Sequence, residues 1–300
     1  MIRNTLTRAA LLPLKFFGRR PLATARRATG WLAGPMRLLM RRRRAIVDRN
    51  LALCFPDLKT RRRERIARAH FRQLAEALGE IAFAWNRPGA LGDDIGEVVG
   101  LEHIEAARAG GRGVVLLTGH CTCLELGARL LGERLRSREI GARAIYRPLR
   151  NDVLEAFQNC GRARYAEAMI ARNDLHAMVR YLRAGGVLWY APDQDLGPDR
   201  SRFAPFFGIE SATATAIVDL ARLGRARVVP MYPLKDPAAG RVTVWLEPAF
   251  EDFPSGDPVA DLTRYNAFLE RRIREHPAQY WWLHRRFKTA PPGDPARYPG

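Results

Sequence analysis

Gly113-Val114-Val115-Leu116-Leu117-Thr118-Gly119-His120-Cys121-Thr122-Cys123-Leu124-Glu125 is the stretch whose reading decides the fold. Val114–Leu117 is a short unbroken apolar run, the pattern of a strand buried on both faces of a parallel sheet. Helical character resumes at Thr122, so a histidine sits in the turn between a strand and a helix. Open α/β sheets place their chemistry at such carboxyl ends.

His120 stands five residues ahead of Glu125. On one helix that spacing would separate them by roughly 140°, so they face each other only if His120 precedes the helix. A carboxylate one turn later then reaches the far ring nitrogen, fixes the tautomer and raises the basicity of the near one. No serine nucleophile is adjacent, and the simplest chemistry is a base that activates a substrate alcohol. Other readings stay open. Thr122 and Glu125 have the spacing of a reciprocal helix cap. His120, Cys121 and Cys123 are metal-ligand types without a second pair to complete a zinc site. Either cysteine is a possible thiolate nucleophile or a small buried hydrophobe.

Outward from this stretch the chain alternates. Strands are predicted at Val114–Leu117, Ala142–Tyr146, Val187–Ala191, Ala226–Tyr232 and Arg241–Leu246, and helices at Thr122–Arg136, Asp152–Ala171, Leu175–Ala184, Ala212–Leu223 and Pro258–Glu275. The expected class is α/β, a mostly parallel central sheet flanked by helices. Residues 41–85 read as helical, with Ile66, Phe71, Leu74, Leu78 and Ile81 at helical spacing before Asn86-Arg87-Pro88-Gly89. Three segments follow: a basic amphipathic membrane-associating segment over 1–45, one α/β domain over 46–290, and a Pro-rich tail over 291–300.

The net charge of +19 is uneven. Residues 1–50 hold thirteen Lys/Arg against Asp48 alone, a net +12, and the remaining 250 residues carry only +7. Arginines Arg19, Arg20, Arg26 and Arg27 and Lys15 interrupt every apolar window long enough to span a bilayer. Short patches such as Leu11-Leu12-Pro13-Leu14, Phe16-Phe17 and Trp31-Leu32 between them suit an interfacial helix on anionic lipid. Nucleic acid is not an expected partner, because the basic run lacks a binding module and is interleaved with Leu, Phe and Trp. Four cysteines without framework spacing, and no signal-peptide cleavage pattern, predict a reducing cytosolic setting.

Polar residues gather where strands end: Tyr146-Arg147-Pro148, Pro192-Asp193-Gln194-Asp195, Pro205-Phe206-Phe207-Gly208 leading to Ser211 as a helix cap, and His284-Arg285-Arg286-Phe287-Lys288. Such a rim suits anionic groups. With the His-x4-Glu core and the Gly161-Arg162-Ala163-Arg164 stretch, these motifs resemble the late lipid A biosynthesis acyltransferases, the lauroyl/myristoyl-type branch of a wider acyltransferase superfamily. The likeness runs from the basic amino-terminal segment to Lys288.

That resemblance implies transfer of a fatty acyl chain from acyl carrier protein to a hydroxyl of an anionic glycolipid acceptor, at the cytoplasmic face of a bacterial inner membrane and without a cofactor or metal. An acyltransferase of the same superfamily acting on another acceptor, or on acyl-CoA, is the alternative. On this reading His120 is the general base, Glu125 orients it and Arg164 stabilises the oxyanion. Arg147 and Arg150 bind phosphate or sugar carboxylate, Asp193 and Asp195 position arginines or sugar hydroxyls, and Arg285 and Arg286 complete the acceptor site. Members usually carry an amino-terminal membrane-spanning helix, and here that region is broken by charges.

Overall fold

The computed structural model describes residues 2–298. Five helices lead: α1 (Ile2–Gly18), α2 (Leu22–Gly30), α3 (Ala33–Leu39), α4 (Arg41–Cys54) and α5 (Thr60–Asn86). Then come β1 (Gly96–Val99), α6 (Glu102–Arg108), β2 (Val114–Leu117), α7 (Leu124–Arg136), β3 (Ala142–Tyr146), α8 (Asp152–Arg162), β4 (Ala168–Ala171), α9 (Leu175–Arg183) and β5 (Val187–Tyr190). The chain closes with β6 (Ser201–Phe206), β7 (Ile209–Ala214), α10 (Ala216–Gly224), β8 (Arg227–Lys235), β9 (Val242–Leu246) and α11 (Pro258–Glu275).

Among the described residues one seven-stranded sheet runs in the order β1-β9-β8-β2-β5-β3-β4. All neighbours are parallel except β8 and β9. The expected α/β class with a mostly parallel, helix-flanked sheet therefore holds. Every residue of β2 is buried, as a central strand covered on both faces requires. β2 lies between β5 and β8, and Leu117 pairs with Tyr190, so the carboxyl ends of β2 and β5 emerge side by side.

Three differences from the sequence-based expectations have local causes. The helix over Asp152–Ala171 stops at Arg162, where Gly161 packs so closely on Trp85 that a Cβ would sit 2.4 Å from the ring, and 168–171 becomes edge strand β4. The helix from Ala212 begins at Ala216 instead. Ser211 is no cap: it is buried in the β6–β7 hairpin, and its hydroxyl donates to the Ile209 carbonyl. Strand β1 is four residues long with a glycine and a charge, too little apolar period to read.

The amino-terminal helices lie on α5. Gly79 of α5 lies against the Ala25 carbonyl of α2, and Gly18 of α1 against the Ala82 carbonyl. Arg26 Nε donates to Glu80 at 2.8 Å, and Glu80 also accepts from buried Lys235 of β8 at 2.7 Å. No helix among the described residues is long and apolar enough to cross a membrane. Leu12, Phe16, Trp31, Leu38 and Leu39 are nevertheless well exposed, Trp31 at 85%. Of the Pro-rich tail, residues 299 and 300 lie outside the described residues. The rest folds back, with Tyr298 donating to Asn50 and Arg297 to the Glu210 carbonyl.

Candidate active site

His120 follows β2 through Thr118-Gly119, and Asp193 follows β5. Their side chains meet: His120 Nδ1 lies 2.5 Å from Asp193 Oδ1, and the His120 amide donates to Oδ2 at 2.9 Å. Gly119 permits this approach, since a Cβ there would stand 2.8 Å from Leu269 and 3.3 Å from Asp193 Oδ2. The turn is clamped from outside. Trp281 donates its amide to the His120 carbonyl, the Thr122 amide donates to Gln279, and Tyr265 donates to the Thr118 carbonyl at 2.7 Å. The backbone on both sides of His120 is thus pinned, and the imidazole, bonded to Asp193, keeps 32% of its surface open.

The electrostatics favour a strong base. Burial disfavours the imidazolium, but the Asp193 carboxylate more than offsets this and raises the His120 pKa above the usual histidine value. Burial would likewise raise Asp193, and the facing imidazole instead holds it below the carboxylate range. With Nδ1–H donated to Asp193, Nε2 is the nitrogen left to accept a proton.

Glu125 does not take the place expected for it. Its carboxylate accepts from Arg162 Nε at 3.1 Å and from the second Arg162 terminal nitrogen, from Trp85 Nε1 at 2.8 Å and from Tyr165 Oη at 2.5 Å. Burial would raise its pKa; Arg162 holds it lowered. The reciprocal cap with Thr122 is also absent. Cys123 occupies the cap position with no side-chain bond, and Thr122 Oγ1 is buried without a hydrogen-bond partner among the described residues.

Arg164 is not in this cluster. It is exposed beyond the end of α8, its Nε donates to the Trp85 carbonyl at 2.7 Å, and it lines a separate groove against α1. Arg162, the last residue of α8, faces inward onto Glu125, whereas Arg164 lies in the turn that follows the helix. Trp85, Arg162 and Tyr165 escaped the sequence reading. The signal available was the Gly161-Arg162-Ala163-Arg164 stretch, which names the segment without its phase.

Both groups open on one cavity of about 290 Å³. Its walls are Leu124, Ala128, Leu131 and Leu135 on one face of α7, Leu74, Leu78 and Ile81 of α5, and Ala142, Ala144 and Ile145 of β3, with His120, Glu125 and Arg162 among its polar lining residues. The arrangement can deprotonate a hydroxyl at the mouth of an apolar pocket and stabilise negative charge beside it.

The remaining expected site residues divide. Arg147 and Arg150 are exposed in the loop after β3, at the same sheet edge. Asp195 is committed within the fold, accepting from the Gly197 amide and from the amide and hydroxyl of Thr289. Buried Arg286 donates to the Ala212 carbonyl, Thr213 and Asn266, so it braces the β6–β7 hairpin against α11 and is not free for an acceptor. Arg285 is exposed over the Tyr298 ring. Cys121 and Cys123 are buried, with sulfurs 3.9 Å apart and both directed at the Pro233 carbonyl. Burial pushes the Cys121 thiol well up, which disfavours a thiolate nucleophile there.

Comparison with known proteins accords with this geometry. The family model for bacterial lipid A biosynthesis acyltransferases matches residues 3–289. The chain is 40% identical over 261 residues to the lipid A biosynthesis lauroyltransferase of Escherichia coli (strain K12), covering 86% of this chain and 83% of the relative. It is 36% identical to the palmitoleoyltransferase of the same organism, over 87% of this chain and 84% of the relative. To the myristoyltransferase it is 32% identical, over 84% and 77%. A model matched along almost the whole length, with relatives above 30% identity over most of both chains, places the chain in the bacterial lipid A biosynthesis acyltransferase family.

Proposed function

We propose that this acyltransferase moves a fatty acyl chain from the thioester of acyl carrier protein to a hydroxyl of a lipid A precursor, with His120 as general base. The observation that carries the reading is the Asp193-backed imidazole of His120 at the mouth of an apolar cavity that also presents Arg162.

His120 Nε2 takes the hydroxyl proton as the oxygen attacks the thioester carbonyl. Asp193 stabilises the imidazolium that forms. The carbonyl oxygen becomes an oxyanion, for which Arg162, oriented by Glu125, Trp85 and Tyr165, supplies the fixed positive charge. Collapse expels the thiolate, which takes the proton back from His120. The ester and the free carrier thiol are the products, and the cavity holds the acyl chain throughout.

The basic surface suits both macroscopic partners. A net charge of +19 favours an acidic carrier protein, and exposed Arg147 and Arg150 stand at the sheet edge where phosphates or sugar carboxylates of the acceptor would meet the site. The exposed Leu12, Phe16, Trp31, Leu38 and Leu39, flanked by arginines, suit peripheral attachment to the cytoplasmic face of the inner membrane.

The test is transfer of acyl chain from acyl carrier protein thioester to the tetra-acylated lipid A precursor, followed by lipid mass. Wild type is expected to form the acylated product, His120→Ala to lose at least ~10²-fold in turnover, and Cys121→Ser and Cys123→Ser to keep it. Wild-type rates in His120→Ala would remove the base from the mechanism. Activity that stays flat from low to high salt would replace the acidic carrier by acyl-CoA as donor.

A further inference from the structure

The acceptor in the proposed reaction is anionic and already acylated, and the donor chain fills the apolar cavity while it reacts. The acceptor's own chains therefore need a second apolar surface with positive charge beside it. We infer that the groove between α1 and α8 is that surface, taking one acyl chain of the lipid A precursor against Leu12, Val153 and Phe157 and an anionic group of its sugar head on Arg8, Lys15 and Arg164; the inference rests on the proposed transfer reaction.

The groove has a volume of about 630 Å³ and is separate from the catalytic cavity. Leu11, Leu12 and Lys15 of α1 line one side, Val153, Ala156 and Phe157 of α8 the other, and Trp85 of α5 completes it. The two helices are tied near one end, where Asn151 Nδ2 donates to Thr7 Oγ1 at 3.1 Å. Leu11 is buried, but Leu12 beside it is 63% exposed, so the groove keeps apolar surface in the open. Its charge is unbalanced as well. Asp152 is the one carboxylate among its lining residues, against Arg8, Lys15 and Arg164, and none of these three cations is ion-paired among the described residues. Lys15 Nζ stands 5.9 Å from the Phe157 ring centroid, and Arg164 donates its Nε to the Trp85 carbonyl. Uncompensated positive charge beside open apolar surface is what an anionic amphiphile satisfies.

Position favours the acceptor over a lipid of the surrounding bilayer. Asp152, which heads α8 and lines the groove, follows Arg150 by two residues, so this end opens beside the loop that leaves the carboxyl end of β3. From Asp152 to Cys160, both lining residues, the helix rises about 12 Å at ~1.5 Å per residue, which gives an acyl chain a length of wall to lie along. Trp85 is a shared partition: it lines the groove, and its Nε1 donates at 2.8 Å to Glu125, which lines the catalytic cavity. A lipid seated in the groove thus lies one indole ring from the catalytic cluster, and its binding energy holds the reacting hydroxyl near His120.

The experiment measures KM separately for the tetra-acylated precursor and for the acyl carrier protein thioester, in neutral detergent micelles where no anionic bilayer contributes. Ala156→Phe fills the groove at an exposed helical position without altering charge, and the double variant Arg8→Glu, Lys15→Glu reverses two exposed charges on α1. Each is expected to raise KM for the precursor by at least ~10-fold, with kcat at saturating precursor and KM for the thioester at wild-type values, as loss of binding common to ground and transition states requires. Ala156→Phe is also expected to float with phosphatidylglycerol vesicles as wild type does. Wild-type precursor KM in both variants overturns the assignment. If the double variant loses flotation while its precursor KM stays unchanged, the groove holds a bilayer phospholipid, and if the thioester KM rises instead, it serves the donor; either result overturns the assignment and leaves the transfer reaction standing. A wild-type enzyme that transfers no acyl chain overturns the reaction and the groove together.

Discussion

His120 Nδ1 and Asp193 Oδ1 lie 2.5 Å apart although 73 residues separate them in the chain, and the same carboxylate also receives the His120 amide. One acid therefore fixes both the ring and the backbone of the base. It comes from the neighbouring parallel strand, and the helix that follows the histidine sends its own carboxylate elsewhere.

The first prediction follows from that pair. The base acts only when neutral, and Asp193 raises its pKa, so kcat/KM should rise with pH through a midpoint above the ordinary histidine value. Asp193→Asn removes the charge that raises it and leaves burial, which lowers it. The acid limb should then shift to lower pH while turnover falls by ~10²–10⁴-fold. A pH–rate profile with an unmoved acid limb would contradict the pairing.

Glu125 and its donors form a second test. Glu125→Gln removes the charge that holds Arg162, and kcat should drop by up to ~10²–10³-fold, the scale of one oxyanion donor, with donor KM little changed. Trp85→Phe and Tyr165→Phe each delete one bond to the same carboxylate and should give smaller losses of kcat in the same direction. Thr122→Ala should retain activity and stability, because that hydroxyl caps nothing. Full activity in Glu125→Gln would detach the cluster from the reaction.

Acid stability should report on His70. This residue is buried in α5, its Nδ1 donates to the Ala278 carbonyl at 2.9 Å, and burial lowers its pKa to about 4. The unfolded chain binds the proton from pH ~6.5 downward while the folded chain resists it, so stability is complete above that pH and is lost as pH falls toward 4. The loss from this group should approach about 3 kcal/mol. Denaturant titrations from pH 7 to 4 should show a shallower decline in His70→Asn, which keeps a donor and cannot titrate.

The ion cluster beneath the amino-terminal helices makes a fourth test. Lys235 Nζ lies 2.8 Å from Glu76 and 2.7 Å from Glu80, and Arg26 joins from α2. Lys235→Met leaves a buried carboxylate undercompensated and should cost about 3–5 kcal/mol in chemical denaturation. Adding Glu80→Gln should recover part of that loss. Removing residues 1–40 should also lower the melting temperature, since Ala25 and Leu22 leave α5 uncovered. An unchanged melting temperature would show that these helices add nothing to the fold.

Local signals determined a large part of this protein. The period of the apolar residues placed β2, β3, β5, β8 and β9 within a few residues. Helix α11 was legible to its ends, because Asp257 caps the amides of Val259 and Ala260 and Pro258 fits the first turn. The strand–turn–histidine at 113–120 pointed to the carboxyl edge of a parallel sheet. Other parts had no local signature. Edge strands β1 and β4 are too short to show a period, and Ser211 resembles a cap until its hairpin partner buries it. Only the tertiary structure decided which acid serves His120, which arginine faces the cavity and how deep that cavity runs. The reason is physical: hydrogen-bond partners and cavity floors depend on distances across paired strands and on helix phase, which exist only once Leu117 lies beside Tyr190 and α8 ends against Trp85.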